Sequence, residues 1–192
     1  MRKENTGRTV LKSGAIAASA VITGIVVSAC STSEENILSE HGLEGMDARE
    51  IIDHLDRQPL AERPAGLMAS VKAEELLVSN QDAEISLEMP ANFSYISVAP
   101  FVSNTHECFY HSLTTCTGEL GNESMDVAVI DGETGEALYE GATTTFDNGF
   151  VGFWVPRGSF GTISVNYQGL EGESEFATGE EDPTCITDLR LT

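Results

Sequence analysis

Phe150-Val-Gly-Phe-Trp-Val155-Pro-Arg-Gly158-Ser-Phe160-Gly-Thr-Ile-Ser-Val-Asn-Tyr167 is the stretch that decides the fold class. Val151, Phe153 and Val155 alternate with Phe150, Gly152 and Trp154, so the period is two and the segment predicts a strand. Both of its faces are apolar, which predicts a central strand. Arg157-Gly158 then supplies a turn, and a second β-rich run follows over 160–168. The same pattern extends outward in both directions. Runs near 69–79, 83–89, 93–102, 125–131, 136–145, 172–178 and 185–191 are short and rich in Val, Ile, Phe and Tyr. Asp131-Gly132 and Asp147-Asn148-Gly149 mark further turns. Strands at this spacing, with no helices between them, predict an antiparallel β-sandwich.

Upstream the period changes. Asp47-Ala-Arg-Glu50 has the form of a capping box, and Ala48, Ile51, Ile52 and Leu55 then form one apolar stripe, so a helix is expected there. Pro59 and Pro64 close it. The expected class is mainly β, α+β overall. A small helix-plus-strand N-terminal domain over 45–90 precedes a β-sandwich domain over 91–192. Residues 30–44 are polar and acidic, with little to bury, and are expected to be a linker.

The first 29 residues read as an export signal. Arg2, Lys3, Arg8 and Lys12 precede an apolar run from Gly14 to Ala29 that is too short and too small in residue size for a comfortable membrane span. The run ends at Val27-Ser-Ala-Cys30, which resembles the lipobox of bacterial lipoproteins, in which Cys30 becomes the lipidated first residue. The expectation is an extracytoplasmic protein of the cell envelope, held to the membrane by acyl chains such as palmitate. Removing the signal takes four of ten basic residues and one of 31 acidic ones, leaving 6 against 30 and a formal charge of −24. With no basic stripe to offset that charge, nucleic-acid binding is excluded.

Sulfur outside the signal is concentrated. His106-Glu-Cys108-Phe-Tyr-His111-Ser-Leu-Thr-Thr-Cys116 holds two histidines and two cysteines in eleven residues, and Cys185 is the only other cysteine after Cys30. Cys108 and His111 are spaced i, i+3, so a single helical turn would put both on one face. Cys116 can join them only if the chain turns back at Ser112-Leu-Thr-Thr, which Ser and Thr favour by bonding the local backbone. Cys185 shares strand parity with Leu189 and Leu191, so it is expected to point inward while Asp188 and Arg190 point out.

Three chemistries fit this set. Soft thiolates with a borderline imidazole suit Cu(I). Zn(II) in a closed Cys3His site would act as a structural staple. Without metal, two cysteines would pair as a disulfide in a stapled surface lipoprotein, leaving an odd thiol. A serine nucleophile elbow, a phosphate-binding loop and an HExxH zinc motif are all missing, so the chain reads as a binder before it reads as an enzyme.

The motif segment continued to Glu119-Leu, with Thr145-Phe-Asp-Asn-Gly149-Phe and Pro183-Thr-Cys185-Ile-Thr, resembles the CueP family of periplasmic copper-binding proteins across about 92–192. The resemblance implies two domains, with copper held by Cys108, Cys116 and Cys185 and by His111, with His106 second. It also implies copper tolerance and delivery to a Cu,Zn superoxide dismutase. Reduction of Cu(II) by the thiols is implied too, which would require an extracytoplasmic thiol reductase for turnover. Homodimer formation is left open, and the lipobox departs from the soluble relatives.

Other residues carry less. His41 and His54 read as solvated histidines, Met125 as core, Trp154 and Phe109 as packing residues. Glu107 and Glu119 read as exposed carboxylates that do little.

Overall fold

The computed structural model describes residues 37–192. The signal, Cys30 and the start of the linker lie outside the described residues. Helix α1 (Ala48–Asp56) begins at the expected box: Asp47 accepts from the Glu50 amide at 2.9 Å, and Glu50 accepts from the Asp47 amide at 3.0 Å. Ala48, Ile51, Ile52 and Leu55 are buried, and so is Asp56. Ile37 and Leu43 are buried in the same core. The stretch expected as a linker therefore joins the folded unit from residue 37 onward, because two aliphatic side chains in an otherwise acidic run suffice to dock it.

Strands β1 (Met68–Val71), β2 (Glu75–Ser79) and β3 (Glu84–Glu88) form an antiparallel sheet in that order. The run 69–79, expected as one strand, is thus a hairpin, folded where the Lys72 amide donates to the Glu75 carbonyl at 2.9 Å. Folding it puts Ala69 opposite Val78 and Val71 opposite Leu76, and all four are buried. A single extended strand would have left half of those aliphatics without a common core.

The rest of the chain is mostly β. Strands β4 (Phe93–Val98), β7 (Val151–Pro156) and β10 (Cys185–Ile186) form one sheet, in the order β10-β4-β7. Strands β5 (Ser124–Asp131), β6 (Ala137–Thr144), β8 (Phe160–Tyr167) and β9 (Leu170–Ala177) form another, in the order β6-β5-β8-β9. Ile96, Val98, Val151, Phe153 and Val155 from the first face Val127, Val129, Ile163 and Val165 from the second, forming the sandwich core. Met125 belongs to that core, as expected.

The other face of the first sheet is covered too. Tyr95 and Trp154, opposite each other in register with ring centroids 4.9 Å apart, pack into the core of α1 and β1–β3. The Trp154 indole donates to Asp53 of the helix at 3.0 Å. β7 is apolar on both faces because its sheet is the middle layer between two cores. It is not central in strand order, where β4 holds the middle place.

Strand β10 runs parallel to β4, pairing Cys185 with Ser97 and Ile186 with Val98. A parallel bridge from Phe101 to Arg190 extends the pairing, so the expected strand 185–191 is two residues plus a bridge. Every other strand pair among the described residues is antiparallel. Burial follows the expected parity: Cys185, Leu189 and Leu191 are buried, while Asp188 and Arg190 are exposed.

Candidate metal centre

The motif loop is held by backbone from both ends of the chain. His111 exchanges with β1, its carbonyl accepting from the Val71 amide at 2.8 Å, and the Leu113 amide donates to the Ala69 carbonyl at 2.9 Å. From the other side, the amides of Thr184 and Cys185 donate to the Phe109 carbonyl at 2.9 and 3.1 Å. The Thr184 hydroxyl closes the join, accepting from the His111 amide at 3.0 Å and donating to the Val71 carbonyl at 2.6 Å.

These tethers hold residues 108–111 as irregular loop with a bend at 109–110, not the single helical turn that the i, i+3 spacing would allow. A helix would need the local amide and carbonyl groups that β1 and β10 take. The return does occur at Ser112-Leu-Thr-Thr: the Cys116 amide donates to the Ser112 carbonyl at 3.0 Å, and the Ser112 amide donates back to the Cys116 sulfur at 3.4 Å.

The result brings all five residues into two overlapping triads. His106, Cys108 and Cys116 form one, and His111, Cys116 and Cys185 the other, with the donor atoms of each within 4.8 Å of one another. Cys108 Sγ is 3.5 Å from Cys116 Sγ, and Cys185 Sγ is 3.8 Å from His111 Nδ1. Three donors each about 2.3 Å from a single ion would lie roughly 4 Å apart, so both triads have metal-compatible spacing. All three cysteines are free thiols.

The groups behind the cluster were not anticipated from the sequence. His111 is fully buried, and its Nε2 lies 2.9 Å from Asp56 Oδ1. Asp56 also accepts from the Tyr95 hydroxyl at 2.6 Å and from Asn148 Nδ2 at 2.8 Å, with Ser97 at 3.4 Å. With Nε2 engaged by the carboxylate, Nδ1 is the nitrogen that faces the sulfurs, as buried carboxylates orient metal-ligating imidazoles elsewhere. The signal was present: Ala48, Ile52 and Asp56 lie at i, i+4 and i+8, so the acid stands on the apolar stripe.

Asn148, a turn residue by sequence, does more than turn the chain. Its carbonyl accepts from the Gly118 amide at 2.6 Å, stitching the loop after Cys116 to the 145–150 turn. Gly149 has φ +79, and a Cβ there would meet Gly118 backbone at 2.7 Å, so glycine is required for that approach. Phe150 follows, fully buried, with its ring 4.5 Å from His111 and 6.2 Å from His106.

Burial works against charge on His111, yet the Asp56 carboxylate raises it to about 9. Burial alone would raise Asp56, and the His111 partnership with the Tyr95 and Asn148 hydrogen bonds lowers it. Among the thiols, Cys108 and Cys185, with His111 alongside, pull Cys116 down far enough to be the thiolate of the cluster. Cys108, facing that thiolate, is pushed up to about 11, and Cys185 is pushed up by both neighbours. Arg63 adds a donor at 2.8 Å to the Cys116 carbonyl.

Several expectations change. Phe109 is half exposed and stacks edge-on against Tyr110, so it does not pack into the core. Glu119 is not idle: it accepts from the amides of Val102, Ser103 and Asn104 at 2.7, 2.9 and 3.3 Å, which holds it below the usual carboxylate range and shapes the loop leading to His106. His41 and His54 join neither triad.

The family described as Periplasmic copper-binding protein CueP matches residues 50–190. The chain belongs to the CueP family. It is also similar to a solved structure described as Crystal Structure of S.CueP, with 35% identity, a TM-score of 0.78, and coverage of 83% of this chain and 98% of that one. No curated protein matches the sequence. Family membership makes this a periplasmic copper-binding type of protein, and the cluster supplies a group that could hold the metal. No helix among the described residues is long and apolar enough to cross a membrane.

Proposed function

We propose that this CueP-family chain binds Cu(I) through Cys108, Cys116, Cys185 and His111, with His106 at the margin, and buffers it or passes it to a copper enzyme outside the cytoplasm. The observation that carries this reading is three free thiols gathered around a buried imidazole whose Nδ1 faces the sulfurs. Soft sulfur donors favour Cu(I) over Zn(II), which remains the less favoured occupant. The export signal and the Cys30 lipobox support attachment to the envelope by acyl chains, leaving the fold on the extracytoplasmic side.

At neutral pH the chain's own residues are prepared for the ion. Cys116 offers the first thiolate; Cys185 and Cys108 each release a proton when they ligate. His111 gives up its Nδ1 proton and keeps the Nε2–H bond to Asp56, so the imidazole enters the site already oriented. Phe150 and the core behind it keep water from the inner sulfurs.

A second reading, cupric reduction, is favoured by the 3.5 Å approach of Cys108 and Cys116. With Cys116 already a thiolate, closing that disulfide releases two electrons and the Cys108 proton, enough to convert two Cu(II) to two Cu(I), and turnover then needs an external dithiol. The test is an anaerobic Cu(I) titration against a bathocuproine-type chelator, with Cys108→Ser, Cys116→Ser and Cys185→Ser alongside. Loss of copper in competition supports the assignment; retention by all three serine variants removes it.

A further inference from the structure

We propose that His106, Cys108 and Cys116 form a separate outer copper position, which captures Cu(I) and hands it to the buried position of His111, Cys116 and Cys185 by ligand exchange around Cys116. This rests on the reading of the chain as a Cu(I) carrier and adds a route to it. The two triads share one sulfur and no nitrogen. Their burial differs in one direction: His106 and Cys108 are half-buried, Cys116 sits at the boundary, and His111 and Cys185 are sealed.

The outer triad also has access that the inner one does not. A cavity of about 600 Å³ is lined by Asn104, Thr105, His106, Cys116, Gly118 and Glu119, so the outer histidine and the shared sulfur open onto it, while Cys108, His111 and Cys185 do not line it. Its wall is built. The Glu119 carboxylate gathers three successive amides of the loop, and the Thr105 hydroxyl donates at 2.6 Å to the Thr187 carbonyl, fixing the backbone on either side of His106. Phe150 is a common neighbour of both imidazoles, its ring centroid 6.2 Å from His106 and 4.5 Å from His111.

The exchange balances without redox chemistry. Cys116 stays bound as thiolate and copper stays Cu(I). Cys108 stays beside Cys116 as a thiolate ligand, and Cys185 loses its proton to water as it ligates. His111 releases its Nδ1 proton to water, and His106 returns to solvent. Because no bond to Cys116 need break, the ion never leaves the protein between the two positions.

The experiment follows Cu(I) transfer from a bicinchoninate-type Cu(I) complex by stopped flow, and the equilibrium affinity by competition, for the parent chain, His106→Ala and His111→Ala. The expected result for His106→Ala is loading slowed at least about tenfold with equilibrium affinity nearly unchanged, and for His111→Ala an affinity loss of about 100-fold or more, since a rate ligand and a resident ligand separate in this way. A His111→Ala, Cys185→Ser double variant should still hold Cu(I) weakly with one nitrogen and two sulfurs by X-ray absorption, and lose it when His106→Ala is added. Parent-like loading by His106→Ala overturns the outer position and leaves Cu(I) carriage standing. So does an affinity loss in His106→Ala equal to that in His111→Ala, or two Cu(I) held at once. Failure of the parent chain to bind Cu(I) overturns both.

Discussion

Asp56→Ala removes the one group on which four buried side chains converge. The carboxylate now accepts from His111 Nε2, the Tyr95 hydroxyl and Asn148 Nδ2 at 2.9, 2.6 and 2.8 Å, with Ser97 more distant at 3.4 Å. Alanine leaves His111 Nε2 and the Tyr95 hydroxyl without an acceptor in a fully buried place, while Asn148 Nδ2 keeps the main-chain carbonyl of residue 56 at 3.1 Å. At about 1–3 kcal/mol for each of the two stranded donors, the loss should be about 2–6 kcal/mol, a large part of the total stability of a domain this size. Asp56→Asn separates charge from geometry. Its carbonyl can replace Oδ1 toward His111 and Asn148, and its amide can donate to the hydroxyls of Tyr95 and Ser97, which are able to accept. It should therefore cost far less, while His111 loses the charge that holds it at about 9. Urea unfolding of the metal-free protein at pH 6 measures the first quantity, and imidazole NMR the second. Copper affinity should fall about 10–100-fold in Asp56→Ala, as for lost carboxylate support of other ligating histidines. A loss below about 1 kcal/mol for Asp56→Ala, or equal losses for the two variants, would refute the reasoning.

In the metal-free parent, stability should be nearly flat from about pH 6.5 to 9. His111, raised, contributes stability that is complete below its unfolded value and lost as pH rises through about 9; Cys116, lowered, contributes stability that grows over the same span as unfolded thiols would still hold their proton. Cys116→Ser should unmask a fall of up to about 3 kcal/mol across that window, and a pH-independent curve would count against the paired charges. Gly149→Ala combines φ +79 with a 2.7 Å clash on Gly118 backbone and should lower stability by about 3 kcal/mol in thermal or urea unfolding; a neutral result would mean the 118–149 approach is loose. Fully reduced protein mixed with Cu(II) should yield a burst of up to two Cu(I) per chain and then stop, read with a Cu(I) indicator; no burst leaves a carrier without reductase chemistry. Removing Cu(I) from loaded protein with a strong chelator should lower the thermal midpoint, because at ion excess of about 1,000 times Kd the bound state gains about 4 kcal/mol.

Much of this protein is local enough to be written in its residue pattern. The capping box at Asp47, the aliphatic stripe of α1, the period of two from β4 onward and the inward parity of Cys185 with Leu189 and Leu191 each depend on neighbours a few positions apart. So does the return at Ser112-Leu-Thr-Thr, where short hydroxyl side chains favour the turn whatever surrounds them. The residue types that the fold clusters, too, were legible, since thiols and imidazoles declare their chemistry by type. What only the tertiary structure decided involves partners distant in sequence. Residues 108–111 have helical spacing, yet β1 and β10 take their backbone groups and hold them as irregular loop. β7 is apolar on both faces because two cores enclose its sheet, and no strand by itself records how many layers lie over it. Asp56 lies 55 positions from His111. A carboxylate on an apolar stripe hints at a buried partner, but which histidine it orients, and so which nitrogen faces the sulfurs, follows from the packing of α1 against β4 and the motif loop.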